Sequence, residues 1–227
     1  DIFDRKAKPL DPSPEVRKLL GLDGGKVTPA DMMKAILKAD VELLWFGGIG
    51  TYIKSSHETN ADAGDRANDA IRINGREVRA KVVGEGATLG ATQRGRIEYA
   101  HAGGRLNTDA IDNAAGVNCS DHEVNIKILV GEVVAAGDMT EKQRNKLLVD
   151  MTDEVGDLVL RDNYLQSQAI SNADAESADI LDAQVRLIRM LEREGRLNRE
   201  IEYLPDDEEL TRRANAHEGL TRPEVSV

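Results

Sequence analysis

Only one cysteine, Cys119, occurs in the 227 residues. No internal disulfide can form, and a cysteine-cluster zinc site is excluded. Aromatic residues make up 3% of the chain, with two Phe, one Trp and four Tyr. The core must therefore be aliphatic, built from Leu, Ile, Val, Ala and Met. No apolar run approaches the roughly 20 residues that a membrane helix needs, and no signal-peptide pattern opens the chain. Basic side chains are the minority, 30 Lys and Arg against 41 Asp and Glu, for a net charge of −11. That deficit argues against binding a nucleic-acid backbone, which needs clustered Lys and Arg. What is present still suffices for a packed core, since 40% of the residues are hydrophobic. The expected class is a globular, cytoplasmic protein with neither nucleic-acid nor membrane partners.

The charge is uneven. Residues 1–136 carry 18 basic and 20 acidic side chains, and residues 137–227 carry 12 and 21. Glycine concentrates in the first part. Two regions are expected, 1–136 and 137–227, with a seam near Gly137.

Residues 1–13, with Pro9 and Pro12, read as an extended lead-in. Val16–Leu20 reads as a short helix stopped by Gly21. Thr28-Pro29-Ala30-Asp31 is a helix start, with a capping Thr, Pro at the first helical position and Asp at the positive end. Residues 41–46 form a short apolar run that stops at Gly47-Gly48-Ile49-Gly50, as a buried strand would. A helix is expected over 62–72, a second strand over 79–83, a helix over 92–100 and a short third strand at 105–107. Strands alternating with helices indicate βαβ units and a parallel sheet. Ser120-Asp121-His122-Glu123 and Thr140-Glu141-Lys142-Gln143 both read as capping boxes. Beyond Gly137 every pattern is helical, with one long helix through residues 147–159, another through 180–191 and a third over 206–216. The acidic residues there read as solvated helix faces, and Asp206-Asp207-Glu208-Glu209 suits a positive helix end. The fold class is thus α/β, a partial Rossmann-like parallel sheet followed by an all-α segment.

Two glycine loops each follow a strand, Gly47–Gly50 and Gly84-Glu85-Gly86-Ala87-Thr88-Leu89-Gly90. In parallel sheets, ligands bind beyond the carboxyl ends of strands, where glycine lets backbone approach them. The same loops can equally be plain turns, and the second departs from the strict dinucleotide spacing. Residues 113–123 place polar side chains beside small ones before a helix, and a helix start at Ser120 suits an anion such as a carboxylate. A plain cap is the competing reading of Ser120, and an exposed first-turn residue that of His122. Ser120, Asp121 and His122 are consecutive and cannot converge as a triad. Cys119 reads as a small buried hydrophobe, and the histidines show no metal-ligand spacing.

Several stretches in order carry a resemblance. They are Leu43-Leu44-Trp45-Phe46-Gly47-Gly48-Ile49-Gly50-Thr51-Tyr52, Gly64-Asp65-Arg66-Ala67-Asn68-Asp69-Ala70, Val82-Val83-Gly84-Glu85-Gly86, Thr92-Gln93-Arg94-Gly95-Arg96-Ile97-Glu98, and 107–127 with Asn113-Ala114-Ala115-Gly116-Val117-Asn118-Cys119-Ser120 at its centre. Along essentially its whole length, the chain resembles the large NAD-specific bacterial glutamate dehydrogenases. Smaller glutamate dehydrogenases share a pattern of the type E-G-A-N followed by N-A-G-G-V-x-x-S. The resemblance implies that Glu85-Gly86-Ala87-Thr88 lies beside the nicotinamide half of the cofactor, with Thr88 where Asn is usual. It implies that Asn113 faces cofactor and substrate, and that Ser120 binds the substrate carboxylate. Ala115 replaces a Gly of the smaller enzymes. The expected cofactor set is therefore Gly47, Gly48, Gly84, Glu85, Gly86, Thr88 and Asn113, with Ser120 on substrate and neither a metal ligand nor a catalytic residue within the chain.

Family members are much longer, so the resemblance implies a fragment, namely the later part of the NAD-binding domain and the start of a helical region. The family's catalytic lysine and its pyrophosphate turn have no match and would lie upstream of Asp1. The missing initial Met and the helix start at Thr221-Arg222-Pro223-Glu224 fit that expectation. The implied parent reaction is oxidative deamination of L-glutamate to 2-oxoglutarate and ammonium with NAD. The expected partners are that substrate pair, the rest of the polypeptide and further copies in a homo-oligomer. The alternative is a non-catalytic regulatory or assembly module that works through the helices of 137–227.

Overall fold

The computed structural model describes residues 1–4 and 7–227. The lead-in expected over 1–13 includes Arg5 and Lys6, which lie outside the described residues. The first helices are α1 (Pro14–Leu20) and α2 (Pro29–Leu37), and both form where local caps demand them. Ser13 Oγ accepts from the Val16 N–H at 3.3 Å and Thr28 Oγ1 from the Asp31 N–H at 3.1 Å, each ahead of a first-turn Pro. Gly21 ends α1 with φ 64°, a left-handed value that glycine adopts without penalty.

Among the described residues four strands follow in two parallel pairs. β1 (Leu43–Phe46) runs beside β4 (Val82–Glu85) in the register Leu43 to Val82 through Phe46 to Glu85. β2 (Ile53–Lys54) pairs with β3 (Ile73–Asn74). The expected third strand shrinks to one bridge from Arg105 to Val82. A helix-flanked parallel sheet is therefore present, but it is small. Side chains alternate across it. Phe46, Val83 and Glu85 enter a core shared with Ile53, Ile73, Leu106 and Tyr99, while Leu43, Trp45 and Val82 face outward.

The helix expected over 62–72 does not form. Gly64 takes φ 69°, and a single 3₁₀ turn spans Arg66–Asn68. The physical reason is Arg72. Its buried guanidinium donates to the carbonyls of Thr51 (2.8 Å) and Asp65, while Asp65 accepts from the Thr51 N–H at 2.8 Å and from the Asn68 amide. Side chains satisfy backbone groups that a helix would have paired.

The remaining helices are α3 (Gln93–His101), α4 (Asp109–Asp112), α5 (Ala115–Cys119), α6 (Asn125–Ala135), α7 (Glu141–Asp150), α8 (Thr152–Ala175), α9 (Leu181–Arg193), α10 (Asp207–Ala216) and α11 (Arg222–Val225). Thr140 and Gln143 close the expected capping box at the start of α7. The long helix expected through 147–159 is broken at Met151 into α7 and α8. Among the described residues no strand follows Glu85, and no helix is long and apolar enough to cross a membrane. Helices on both sides of Gly137 pack together: α5 lies on α8, and α11 on both α3 and α8. Leu181, Ile188, Leu210 and Leu220 form a second core under α9 and α10.

One acidic group at α10 titrates far from its usual range. Arg212 and Arg213 hydrogen-bond the Glu209 carboxylate and hold it down from 4.5 to about 2. A depressed folded value means that the charged form stabilises the native state, so this contribution is present above pH 4.5 and is lost as pH falls toward about 2. Helicity followed by circular dichroism from pH 5 to pH 2 is expected to fall in that window, and Glu209→Gln should flatten the fall. An unchanged acid transition in the variant would contradict the assignment.

Candidate functional site at the carboxyl edge of the sheet

Because β1 and β4 are parallel, their carboxyl ends open on one edge, and both glycine loops leave there. Backbone bonds stitch the loops together. The Ala87 N–H donates to the Phe46 carbonyl at 3.1 Å, and the Tyr52 N–H to the Gly90 carbonyl at 2.9 Å. Gly47, Gly48, Gly86 and Thr88 are exposed at this edge. Gly47 and Gly48 line an apolar cleft of about 280 Å³ with Met33, Ile36, Trp45 and Tyr52. Apolar walls beside free backbone suit a flat ring system rather than a phosphate.

Not every expected contact residue faces this space. Trp45, 57% exposed, lies over Gly84 and Gly86. A Cβ at Gly84 would stand 2.6 Å from Trp45 Cε3, and one at Gly86 would stand 2.2 Å from Cζ2. These glycines are therefore required by the indole, and Gly84 itself is buried. Glu85 corrects the expectation more sharply. Its side chain is 0% exposed and makes a fork-to-fork pair with Arg96, from Nε to Oε1 at 2.7 Å and from Nη2 to Oε2 at 2.9 Å. Burial pushes the Glu85 carboxyl up from its ordinary value, while Arg96 pulls it down. This carboxylate supports the loop from beneath and does not reach into the cleft.

Sequence reasoning missed Arg96. It lies eleven residues from Glu85 on a different element, so no local pattern announces the pair. Arg96 also reaches Asp109 at 3.1 Å, and Asp109 Oδ2 accepts from the Leu89 N–H at 2.8 Å. That bond helps to hold Leu89 at φ 63°, an uncommon conformation for a residue with a side chain. Asp112 accepts from the Glu85 N–H at 2.9 Å. The helix α4 is thus fastened to the loop through both of its acidic ends.

Asn113 follows directly after Asp112 as the C-cap of α4. Its Nδ2 is buried and has no hydrogen-bond partner among the described residues. An orphaned amide donor is costly, and a bound acceptor would relieve it. Thr88 stands exposed on the neighbouring loop.

Ser120 does not start a helix. Helical geometry begins at Ala114 and runs through α5, a π segment at Ser120–Val124 and α6. Ser120 has φ −64° and ψ −40°, and its hydroxyl donates back to the Gly116 carbonyl at 3.3 Å. The capping-box pattern loses because the small and apolar residues before it are helical too, and a cap needs a non-helical residue in front of the first turn. The positive end of this helix therefore falls at Asn113–Gly116. Ser120 is exposed about 9 Å further along the axis, six residues at about 1.5 Å each. His122 is likewise no free first-turn residue, since its Nε2 lies 2.6 Å from Asp162 Oδ2 on α8. Cys119 is half-buried.

Comparison with known proteins bears on this edge. A family model described as "Bacterial NAD-glutamate dehydrogenase, catalytic domain" matches residues 1–173. The chain belongs to that family. Its relatives include the NAD-specific glutamate dehydrogenases of Halomonas elongata, 56% identical over 226 residues, and of Pseudomonas aeruginosa, 57% identical over 226 residues. The enzyme of that name from Mycobacterium tuberculosis is 48% identical over 232 residues. All three alignments cover 100% of this chain and 14% of the relative. Both glycine loops, Arg96, Asn113 and Ser120 fall inside the stretch matched to the bacterial NAD-glutamate dehydrogenase catalytic domain.

Proposed function

We propose that this chain serves a longer glutamate dehydrogenase polypeptide as the carboxyl-edge wall of its NAD site, continuous with the first helices beyond it. The parent reaction is oxidative deamination of L-glutamate to 2-oxoglutarate and ammonium. The observation that carries the reading is the unpaired, buried Asn113 amide beside loops that leave Gly47, Gly48, Gly86 and Thr88 open. NAD, when bound, supplies the hydride acceptor, and the protein's task is to orient it. Gly47, Gly48 and Gly86 would offer free backbone to the cofactor, Thr88 a hydroxyl, and Asn113 an amide donor. Gly84 and Glu85 act from behind, as the seat of Trp45 and the partner of Arg96. Ser120 would hold the substrate carboxylate through its hydroxyl, not through a helix end. A Rossmann-like strand order, a division into regions 1–136 and 137–227, and a cytoplasmic homo-oligomer complete this reading.

Asn113→Ala in the full-length polypeptide is expected to lower kcat/KM about tenfold to a hundredfold, since an unmade bond to a buried donor costs about 1–3 kcal/mol. Ser120→Ala should raise the KM for glutamate and leave that for NAD alone. The chain alone should form no NADH from glutamate, because no residue in it matches the family's lysine. Unchanged kinetics in both variants would overturn the site. A second reading, an assembly module, would then gain. It draws on the exposed apolar residues Val149, Leu160, Tyr164 and Leu187 of α7, α8 and α9.

A further inference from the structure

The glycine loop after β4 is held by a chain of polar contacts that begins far away in sequence. Arg222, at the start of α11, is 8% exposed. Its Nε donates to Asn107 Oδ1 at 2.6 Å. The Asn107 amide donates from its other end to Asp112 Oδ1 at 2.7 Å. Asp112 then uses its second oxygen, Oδ2, to accept from the Glu85 N–H at 2.9 Å. Glu85 is the last residue of β4, and Gly86 follows it. Each group in the series uses one face toward each neighbour, so each fixes the orientation of the next. The Asn107 amide suits the middle of the series, because it can accept from a guanidinium and donate to a carboxylate at once.

The outer end of this chain is anchored. Glu224 accepts from the Thr221 N–H at 2.7 Å and pairs with Arg213, and Gln93 Nε2 donates to the Pro223 carbonyl at 3.0 Å. Helix α11 is therefore seated on α3, and Arg222 is delivered to Asn107 by that seating. The remaining contacts of its guanidinium are long, 3.5 Å to the Ser167 carbonyl and 3.7 Å to Asp174. Its short bond, to Asn107, points toward the loop.

We propose that Arg222 is a positioning residue for the Gly86–Gly90 loop, acting through Asn107 and Asp112. The proposal rests on the reading of that loop as part of the NAD site. It couples the helical region after Gly137 to cofactor binding by a stated set of bonds.

Asn107→Asp separates this role from simple support. The new carboxylate still accepts from Arg222, so α11 stays seated, but it faces Asp112 with a like charge and turns it from the Glu85 N–H. In the full-length enzyme, the KM for NAD is expected to rise about five- to tenfold, with kcat and the KM for glutamate within about twofold and the melting temperature nearly unchanged. Arg222→Met should raise the KM for NAD by a similar factor while lowering the melting temperature. The double variant should raise it no further, since both changes cut one chain. An unchanged KM for NAD in Asn107→Asp, or fully additive effects in the double variant, would overturn the proposal. Thr88→Ala is the companion variant. If it raises the KM for NAD while Asn107→Asp does not, the relay alone falls. If Thr88→Ala and Asn107→Asp are both silent, the loop reading falls and the relay with it.

Discussion

Arg96→Met is expected to destabilise the fold by about 3–5 kcal/mol, the cost typical of removing one partner from a buried ion pair. Glu85 would keep a carboxylate with no exposure, and its other side-chain bond among the described residues is a long one, 3.3 Å from the Ala91 N–H. Burial already pushes this carboxyl upward, and losing the guanidinium pushes it further in the same direction. The sign of the pH dependence follows. A folded value raised above the ordinary 4.5 means that the folded variant holds a proton which the unfolded chain releases. The variant is therefore least impaired below pH 4.5 and loses stability as pH rises through the raised value. Urea denaturation at pH 5 and pH 8 should show the larger deficit at pH 8. Adding Glu85→Leu should restore much of the loss, because an apolar pair no longer buries an unmatched charge. A single-variant deficit under about 1 kcal/mol, or a deficit larger at pH 5, would contradict the role given to this pair.

Arg213→Met is expected to be nearly as costly, again about 3–5 kcal/mol by the same mechanism. Arg213 and Glu224 expose only 4% and 1% of their side chains and meet at 2.7 and 3.0 Å. Glu224 also caps α11 through the Thr221 N–H. Without the guanidinium this carboxylate would have to leave its site, and α11 would lift from α3. Hydrogen exchange reads this directly. The amides of Val225 and Ser226, bonded to the carbonyls of Thr221 and Arg222, should lose protection in Arg213→Met. Arg213→Lys should recover only part of it, since an ammonium cannot form the two-pronged contact. Arg212→Met, on the exposed neighbour, should change little. Full protection at Val225 and Ser226 in Arg213→Met would show that α11 is held by other means.

How much of the site was legible depended on the range of the interaction. Glycine loops beyond strand ends were legible because a turn and an exposed backbone are local demands. The resemblance brought Asn113 and Ser120 into view, and the structure left the Asn113 amide unpaired among the described residues but moved Ser120 away from a helix start. Ser120 had every local mark of a cap, yet the residues before it continue the helix, so its hydroxyl bonds back one turn. Glu85 had the look of a loop residue at a cleft, yet a partner eleven positions away turns it inward. Arg72 undid the helix expected over 62–72 by the same kind of distant, buried contact.

By itself the sequence determined the caps at Thr28, Thr140 and Thr221, the α/β character of the first part and the helical character of the second. Those features rest on hydrogen bonds within three or four residues and on side-chain periodicity, which the order of residues specifies directly. Only the tertiary structure decided which polar groups support the loops and which stand free at the cleft. Those assignments depend on pairs such as Arg96 with Glu85 and Arg222 with Asn107, whose members the fold brings together from different elements. Burial then makes an unpaired partner expensive, so each such pair constrains the backbone around it, and no local pattern encodes that constraint.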